Sequence, residues 1–310
     1  MAHRPPRLLV LGDLVVDVVL APARVLARGT DVPGRVELRQ GGSAASTARW
    51  LARLGARSTL VTAVGRDREG RALVDALRRD RVAVRVSRVA GAPTGRIGVV
   101  VAADGERSFV ADRGAADRLV PGSLRASWFA GLDGLHLPVY SLLGDPLGLA
   151  GRRAIELARA KGVPLSLDLS STGPLMAGGR RRAGALVRDA RPDLLFATAA
   201  EARALIGAGR PLEDLLAFAP AAIVKRGREG ATVLVEQDGR RRRFAVAARR
   251  IAAADTTGAG DAFDAGALVV WASAPPAERR RAALLRRAAL AGHRAARRQL
   301  AAAPAELVIR

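Results

Sequence analysis

The chain has 310 residues, 49% of them hydrophobic, and no cysteine; it fits one large α/β domain with an ample core and excludes disulfides, a thiol nucleophile and a cysteine-held metal. The net charge is +22, yet the arginines are scattered over many segments and aromatic residues make up only 3%, so biased coding of solvated faces explains the charge and no specific nucleic-acid partner is expected. No run of eighteen uncharged apolar residues occurs, so neither a transmembrane span nor a membrane partner is expected, and the opening apolar stretch is too short for a signal peptide; a cytoplasmic protein follows.

In chain order, short apolar runs alternate with helical patterns. Strands are predicted over residues 8–11, 59–64, 135–137, 165–169, 194–197, 222–225 and 232–235. Helices are predicted over 43–54, 70–79, 147–160, 199–206, 258–272 and 277–302, the last amphipathic. Strand–helix alternation of this kind argues for βα units and a largely parallel sheet. Two segments break it: 14–20 through 36–38, and 97–103 with 107–111 around the Asp104-Gly105 turn, read as antiparallel strands.

The stretch Asp255-Thr256-Thr257-Gly258-Ala259-Gly260-Asp261-Ala262-Phe263 carries the most chemistry. It runs into Asp264-Ala265-Gly266-Ala267-Leu268-Val269-Val270-Trp271, apolar on nearly every side and therefore a buried helix. The first turn of such a helix offers orphan backbone N–H groups and the positive end of the dipole, which favour an anion. Asp261 adds a carboxylate beside that site, and an anion cradle next to a base suits phosphoryl transfer to an alcohol. Glycine and aspartate also serve as ordinary helix caps, but a cap needs one such residue and this segment spends six small or polar ones.

The nine-residue stretch resembles the C-terminal signature of the ribokinase-like (PfkB) carbohydrate kinases. Gly41-Gly42-Ser43-Ala44-Ala45-Ser46-Thr47-Ala48 with Leu51-Ala52-Arg53-Leu54-Gly55 resembles that family's N-terminal signature, and Val64-Gly65-Arg66-Asp67 with Gly70 a third landmark. The resemblance covers nearly the whole chain. It implies a ribokinase-like three-layer sandwich, with a mostly parallel central sheet and a small β-sheet lid, as a single domain over residues 1–310. The lid excursions would fall at about 13–40 and 94–112.

It further implies ATP- and Mg²⁺-dependent phosphorylation of a hydroxyl on a sugar or sugar-like small molecule. Asp261 would be the general base, and the backbone of Gly258, Ala259 and Gly260 the anion hole. Asp17 would grip sugar hydroxyls, with Gly41, Gly42 and Ser46 at the substrate; a lone carboxylate inside Val15-Val16-Asp17-Val18-Val19 is costly to bury without such a role. The Gly pair also fits an ordinary turn before a helix. Lys225-Arg226-Gly227-Arg228-Glu229-Gly230 resembles the nucleotide-binding turn, with Lys225, Gly227, Gly230 and Thr256 beside ATP, though a tight strand-to-strand turn explains the glycines equally well. Glu201 and Thr198 would order water around Mg²⁺. Asp255 would lie where some relatives hold a monovalent cation, or would simply cap its turn. Family members are often dimers through the lid, so a homodimer stays open.

Three positions depart from the family pattern: Ser46 and Thr198 stand where Asn is usual, and Arg81 where Gly is common before Val82. The first two put substrate identity and turnover in question. The alternatives are a nucleoside kinase of the same fold, although no base pocket is identifiable, and a catalytically weakened sugar or nucleotide sensor, against which the intact Asp261 and its glycines argue. A dinucleotide-dependent oxidoreductase is poorly supported, since no Gly-x-Gly-x-x-Gly follows the first strand.

Overall fold

The computed structural model describes residues 4–102, 107–249, 251, 255–302 and 305–309. Strand β1 (Arg7–Leu11) sits inside the main sheet and leads into the first excursion, β2 (Val15–Pro22) and β3 (Gly34–Gly41). The chain returns through helix α1 (Ser43–Arg53), β4 (Arg57–Gly65), α2 (Arg68–Arg79) and β5 (Ala83–Val89). A second excursion, β6 (Thr94–Val101) and β7 (Arg107–Gly114), is followed by β8 (Gly134–Pro138), α3 (Tyr140–Leu143), α4 (Leu147–Arg159) and β9 (Leu165–Asp168). Then come α5 (Thr172–Met176), α6 (Gly179–Ala190), β10 (Leu194–Thr198), α7 (Ala199–Ile206), β11 (Ala221–Lys225), β12 (Ala231–Gln237) and β13 (Arg240–Val246). Helices α8 (Ala259–Ser273) and α9 (Ala282–Ala301) close the series.

The main sheet has the order β13-β12-β11-β10-β9-β8-β1-β4-β5. It is parallel from β11 to β5, while β12 and β13 pair antiparallel at one edge. Strands buried on both faces read as unbroken apolar runs, and the packing shows why. Leu8, Val10, Leu60, Leu194, Phe196 and Ile223 face one layer, which holds Trp50, Leu73, Phe263 and Leu285 of α1, α2, α8 and α9. Leu9, Leu11, Val61, Leu135, Leu195 and Val224 face the other, with Ile155, Val187 and Leu205 of α4, α6 and α7. Helix, sheet and helix thus form three layers.

The excursions build a four-stranded sheet, β3-β2-β6-β7, whose own core among the described residues is small: Val15, Val19, Ile97, Val99 and Ala116. Its two hairpins pair antiparallel internally as expected, but β2 and β6 join in parallel. The Asp104-Gly105 turn and Ala103 lie outside the described residues. Asp67 of the third landmark fastens one root of this lid: its carboxylate accepts from the Thr94 backbone N–H and the Thr94 hydroxyl, both at 2.6 Å, and caps α2 through Gly70 N at 2.8 Å.

Five elements escape the predicted pattern: the short helices α3 and α5, the edge strands β13 and β5, and helix α6. Strand β13 begins as an arginine run, Arg240 to Arg243, whose charges stay exposed on an edge strand, a common protection against edge-to-edge pairing. Strand β5, at the opposite edge, is only half buried. Helix α6 hides its buried side, Ala183, Gly184, Val187 and Ala190, among arginines and glycines. The last helix starts at Ala282 rather than 277, because a 3₁₀ turn at Pro276–Glu278 comes first. That turn tucks the Arg279 guanidinium under the end of α8, where it donates to the Ala272 and Ala274 carbonyls, both at 3.0 Å.

Candidate active site

In a parallel sheet, ligands bind beyond the carboxyl ends of the strands. There the chain places Asp13 just after β1, Asp168 at the end of β9, Thr198 at the end of β10 and Lys225 at the end of β11. The start of α8 and the lid complete the walls of a cavity of about 750 Å³.

The Gly-Gly pair shapes one wall. Gly42 takes φ 99° and precedes α1; a Cβ there would lie 2.5 Å from the Asp13 carbonyl oxygen, so only glycine fits. This sharp entry aims Ser43, whose hydroxyl donates to Asp261 Oδ1 at 2.6 Å. A Cβ on Gly41 would collide with the Asp17 carboxyl group, so the bare backbone is what leaves room for that side chain. Burial, with the charge of Asp13 adding to it, pushes Asp17 up to about 7. Asp13 is itself held from both sides: Oδ1 accepts from Ala44 N at 3.2 Å and Oδ2 from Arg113 Nη1 at 2.5 Å. Arg113 in turn lies 3.9 Å over the Tyr140 ring. Ser46 lines the same cavity.

The opposite wall is the start of α8. Gly258, left-handed at φ 71°, begins the helix, and Asp261 stands in its first turn. The Ala259 N–H is used locally, donating to the Thr256 carbonyl at 3.3 Å, whereas those of Gly258, Gly260 and Asp261 have no backbone or side-chain acceptor among the described residues. Burial pushes the Asp261 carboxyl up to about 7; the Ser43 hydroxyl opposes the rise, Asp168 and Asp13 add to it, and Lys225 opposes it.

Beneath the α8 turn lies an ion-pair centre. Lys225 Nζ donates to Asp168 Oδ1 at 3.1 Å and to both oxygens of Asp264 at 3.1 and 3.0 Å. Burial opposes the lysine's charge, but Asp168, Asp264 and Glu201 together hold its pKa well above the usual range. Asp264, fully buried, is pushed well above the carboxylate range by that burial. A Cβ on Gly260 would stand 3.6 Å from Lys225 Nζ, so the ammonium sits directly under the glycine turn.

The remaining candidates separate. Thr198 and Glu201 form a capping box on α7: Glu201 Oε2 accepts from Thr198 N at 2.7 Å and Thr198 Oγ1 from Glu201 N at 3.2 Å. Both line the cavity, and burial followed by the charge of Asp168 raises the Glu201 pKa. Asp255 also lines it, but its carboxylate is taken by two lid arginines, Arg39 at 2.6 Å and Arg107 at 2.7 Å. Gly227 and Gly230 do not line it: they flank a 3₁₀ turn joining the antiparallel β11 and β12, and a Cβ on Gly230 would run into the Val246 carbonyl. Both glycines belong to that strand-to-strand turn. Thr256 accepts from Arg107 at 3.2 Å and also lies off the cavity lining.

Sequence reasoning missed Asp13, Asp168, Asp264, Arg113, Ser43, Arg39 and Arg107. Asp13 and Asp168 share a readable signal, a carboxylate at or just past the end of a mostly apolar buried strand. Asp264 is three residues after Asp261, on a helix otherwise apolar at that level. The lid arginines carry no local signal.

With this geometry in place, comparison with known proteins is decisive for the family: the model described as "pfkB family carbohydrate kinase" matches residues 5–306. The chain belongs to the pfkB family of carbohydrate kinases. Among pfkB relatives, Fructokinase-1 of Oryza sativa subsp. japonica is 31% identical over 278 residues, 85% of this chain and 82% of that one. Probable fructokinase-4 of Arabidopsis thaliana, at 30% identity, matches over 53% of this chain, which spans 50% of that relative's length. Among solved structures, the adenosine kinase from Sinorhizobium meliloti superposes with a TM-score of 0.82 at 26% identity, covering 99% of this chain and 97% of that one. A fructokinase double mutant from Vibrio cholerae O395, in its fructose-, ADP- and potassium-bound form, shares the fold with a TM-score of 0.74 at 23% identity over 94% and 91% of the two chains. The ribokinase-like fold expected from the motifs is the fold observed. Among the described residues no helix is long and apolar enough to cross a membrane.

Proposed function

We propose that this chain transfers the γ-phosphoryl group of ATP to a hydroxyl of a sugar or sugar-like small molecule. One observation carries the reading: Asp261, raised to about 7, stands in the first turn of α8 beside the N–H groups of Gly258 and Gly260, at a cleft that the lid's Asp17 also lines. Asp13 and Asp17 accept from acceptor hydroxyls and position one of them against Asp261. The carboxylate of Asp261 takes that hydroxyl's proton as its oxygen forms the new bond to the γ-phosphorus. The bond from the γ-phosphorus to the β,γ-bridging oxygen breaks, and ADP departs with the electron pair. The N–H groups of Gly258, Gly260 and Asp261 itself, with Lys225 below them, favour the charge on the transferring group. Closure of the lid excludes water, which otherwise competes as acceptor.

A Mg²⁺ ion bound with the nucleotide would neutralise phosphate charge. Glu201 and Asp168 are the carboxylates fitted to reach it, directly or through water. Among the described residues no group of three or more acidic or histidine side chains would hold a metal without nucleotide. Gly227, Gly230 and Thr256 lie outside the lining of this cavity, so contacts from them to the nucleotide would fall beyond it.

A nucleoside acceptor is the second reading, favoured by the lid's cavity-lining face: Val15, Val19, Ile97 and Val99 with Phe109, which is 60% exposed and free to stack. The experiment is ATP consumption with Mg²⁺ across pentoses, hexoses, sugar acids, sugar phosphates and nucleosides, alongside Asp261→Asn. Turnover confined to one acceptor class and absent in the variant is the expected result. Ligand-induced melting shifts without turnover on any compound would instead make the chain a sensor.

A further inference from the structure

Asp255 begins the signature loop, and its surroundings are unlike those of a cation ligand. Its Oδ2 accepts from Arg39 Nη1 at 2.6 Å. Its Oδ1 accepts from Arg107 Nη2 at 2.7 Å and from Thr257 N at 2.8 Å. Arg107 also donates to the Thr256 hydroxyl at 3.2 Å, and Arg39 is balanced by Glu37 at 2.6 Å. Both carboxylate oxygens are therefore already bonded by guanidinium groups, and a third positive charge beside them would be repelled. A monovalent-cation role for Asp255 does not fit this arrangement.

The origin of the two arginines matters as much as their charge. Arg39 lies on β3 and Arg107 on β7, the two outermost strands of the lid sheet. Both edges of the lid thus converge on one carboxylate of the main body. Arg107 is 10% exposed and Arg39 18%, while the Asp255 side chain they share is 35% exposed, so the pairs are only partly shielded from solvent and screening. From the other side, Gln299 of α9 donates to the Thr257 carbonyl at 3.0 Å while accepting from the Trp50 indole at 2.9 Å. The peptide at Thr257 is held between lid and helix, and the next residues are Gly258, Ala259, Gly260 and Asp261.

We propose that Arg39 and Arg107 are positioning residues that fix the Asp255–Thr257 loop when the lid closes, so that lid closure, and not a monovalent cation, sets the phosphoryl site of this chain. The inference deepens the kinase reading and rests on it for its catalytic consequence, but the loop's order is measurable without turnover. An open lid withdraws both guanidinium groups and loosens the α8 turn; a closed one assembles it. Closure over an acceptor is thereby coupled to activation of the phosphoryl site.

The test compares the full chain with Arg39→Gln, Arg107→Gln, the double variant and the charge-keeping Arg107→Lys, in KCl and in choline chloride at equal ionic strength. Hydrogen exchange of the amides in 255–262 is read first, then kcat and KM on whichever acceptor turns over. The parent chain is expected to behave alike in both salts. Each Gln variant is expected to exchange about tenfold faster in this segment, with kcat lowered about tenfold and acceptor KM changed less, as follows from losing one charge-assisted hydrogen bond. Arg107→Lys is expected to retain most of the protection. Potassium-specific protection or activation of the parent chain, or a double variant that exchanges like the parent at 255–262, would overturn the proposal. A chain that phosphorylates nothing in the acceptor panel defeats the kinase reading, and the exchange experiment still decides the latch.

Discussion

The end of the central sheet and the lid hold their charges by different means. At the sheet end, Lys225, Asp168 and Asp264 have side chains 11%, 6% and 1% exposed, and each is anchored by a strand or helix sunk in one of the two large apolar layers. The lid has its own core of only a few aliphatic residues and reaches the main body through arginine pairs such as Arg39 and Arg107 on Asp255. Rigid burial shifts pKa values and fixes donors; a thinly cored sheet can open at low cost. The proposed chemistry belongs to the first region and its timing to the second.

The largest effect expected of that division is at Asp261. Asp261→Asn keeps the shape but removes the base, and kcat is expected to fall by roughly 10²–10⁴-fold. Stability should move the other way. A carboxyl with a folded pKa of about 7 and an ordinary unfolded value of 3.8 costs stability as pH rises between the two, because the unfolded chain releases its proton first. The Asn variant should therefore lose less stability than the parent from pH 4 to pH 7, as followed by urea unfolding. In the parent, kcat/KM should climb with pH through about 7 as Asp261 deprotonates. A flat profile, with Asn costing stability instead, would make Asp261 a structural cap.

Next in size is the ion-pair centre. Lys225→Met leaves Asp168 and Asp264 buried without their cation and is expected to cost about 3–5 kcal/mol in urea unfolding. A loss below about 1 kcal/mol would show that this end of the sheet is no more rigidly organised than the lid. Smallest is the joint between the regions: Gly41→Ala displaces Asp17, and acceptor KM is expected to rise about tenfold while kcat and melting temperature change little. An unchanged KM would remove Asp17 from the acceptor site.

How legible each region was in sequence follows from the same contrast. The central strands were visible because burial on both faces demands unbroken runs such as Leu194-Leu195-Phe196-Ala197. The α8 turn was visible because six small or polar residues before a core helix have few structural uses. Asp13 and Asp168 were passed over because a carboxylate after an apolar run also reads as the place where the strand stops. Lys225 was assigned to the nucleotide turn by its neighbours Gly227 and Gly230, whereas its side chain turns back under Gly260. Arg39 and Arg107 were beyond reach, because their partner lies 216 and 148 residues away and one more arginine in so basic a chain carries no signal.

The central claim is tested most directly by following ATP, Mg²⁺ and the best acceptor with ³¹P NMR, using the parent chain and Asp261→Asn. A phosphate monoester appearing in step with ADP, and lost in the variant, is the predicted result. ADP accompanied only by free phosphate, or monoester formed equally well by the variant, would contradict it.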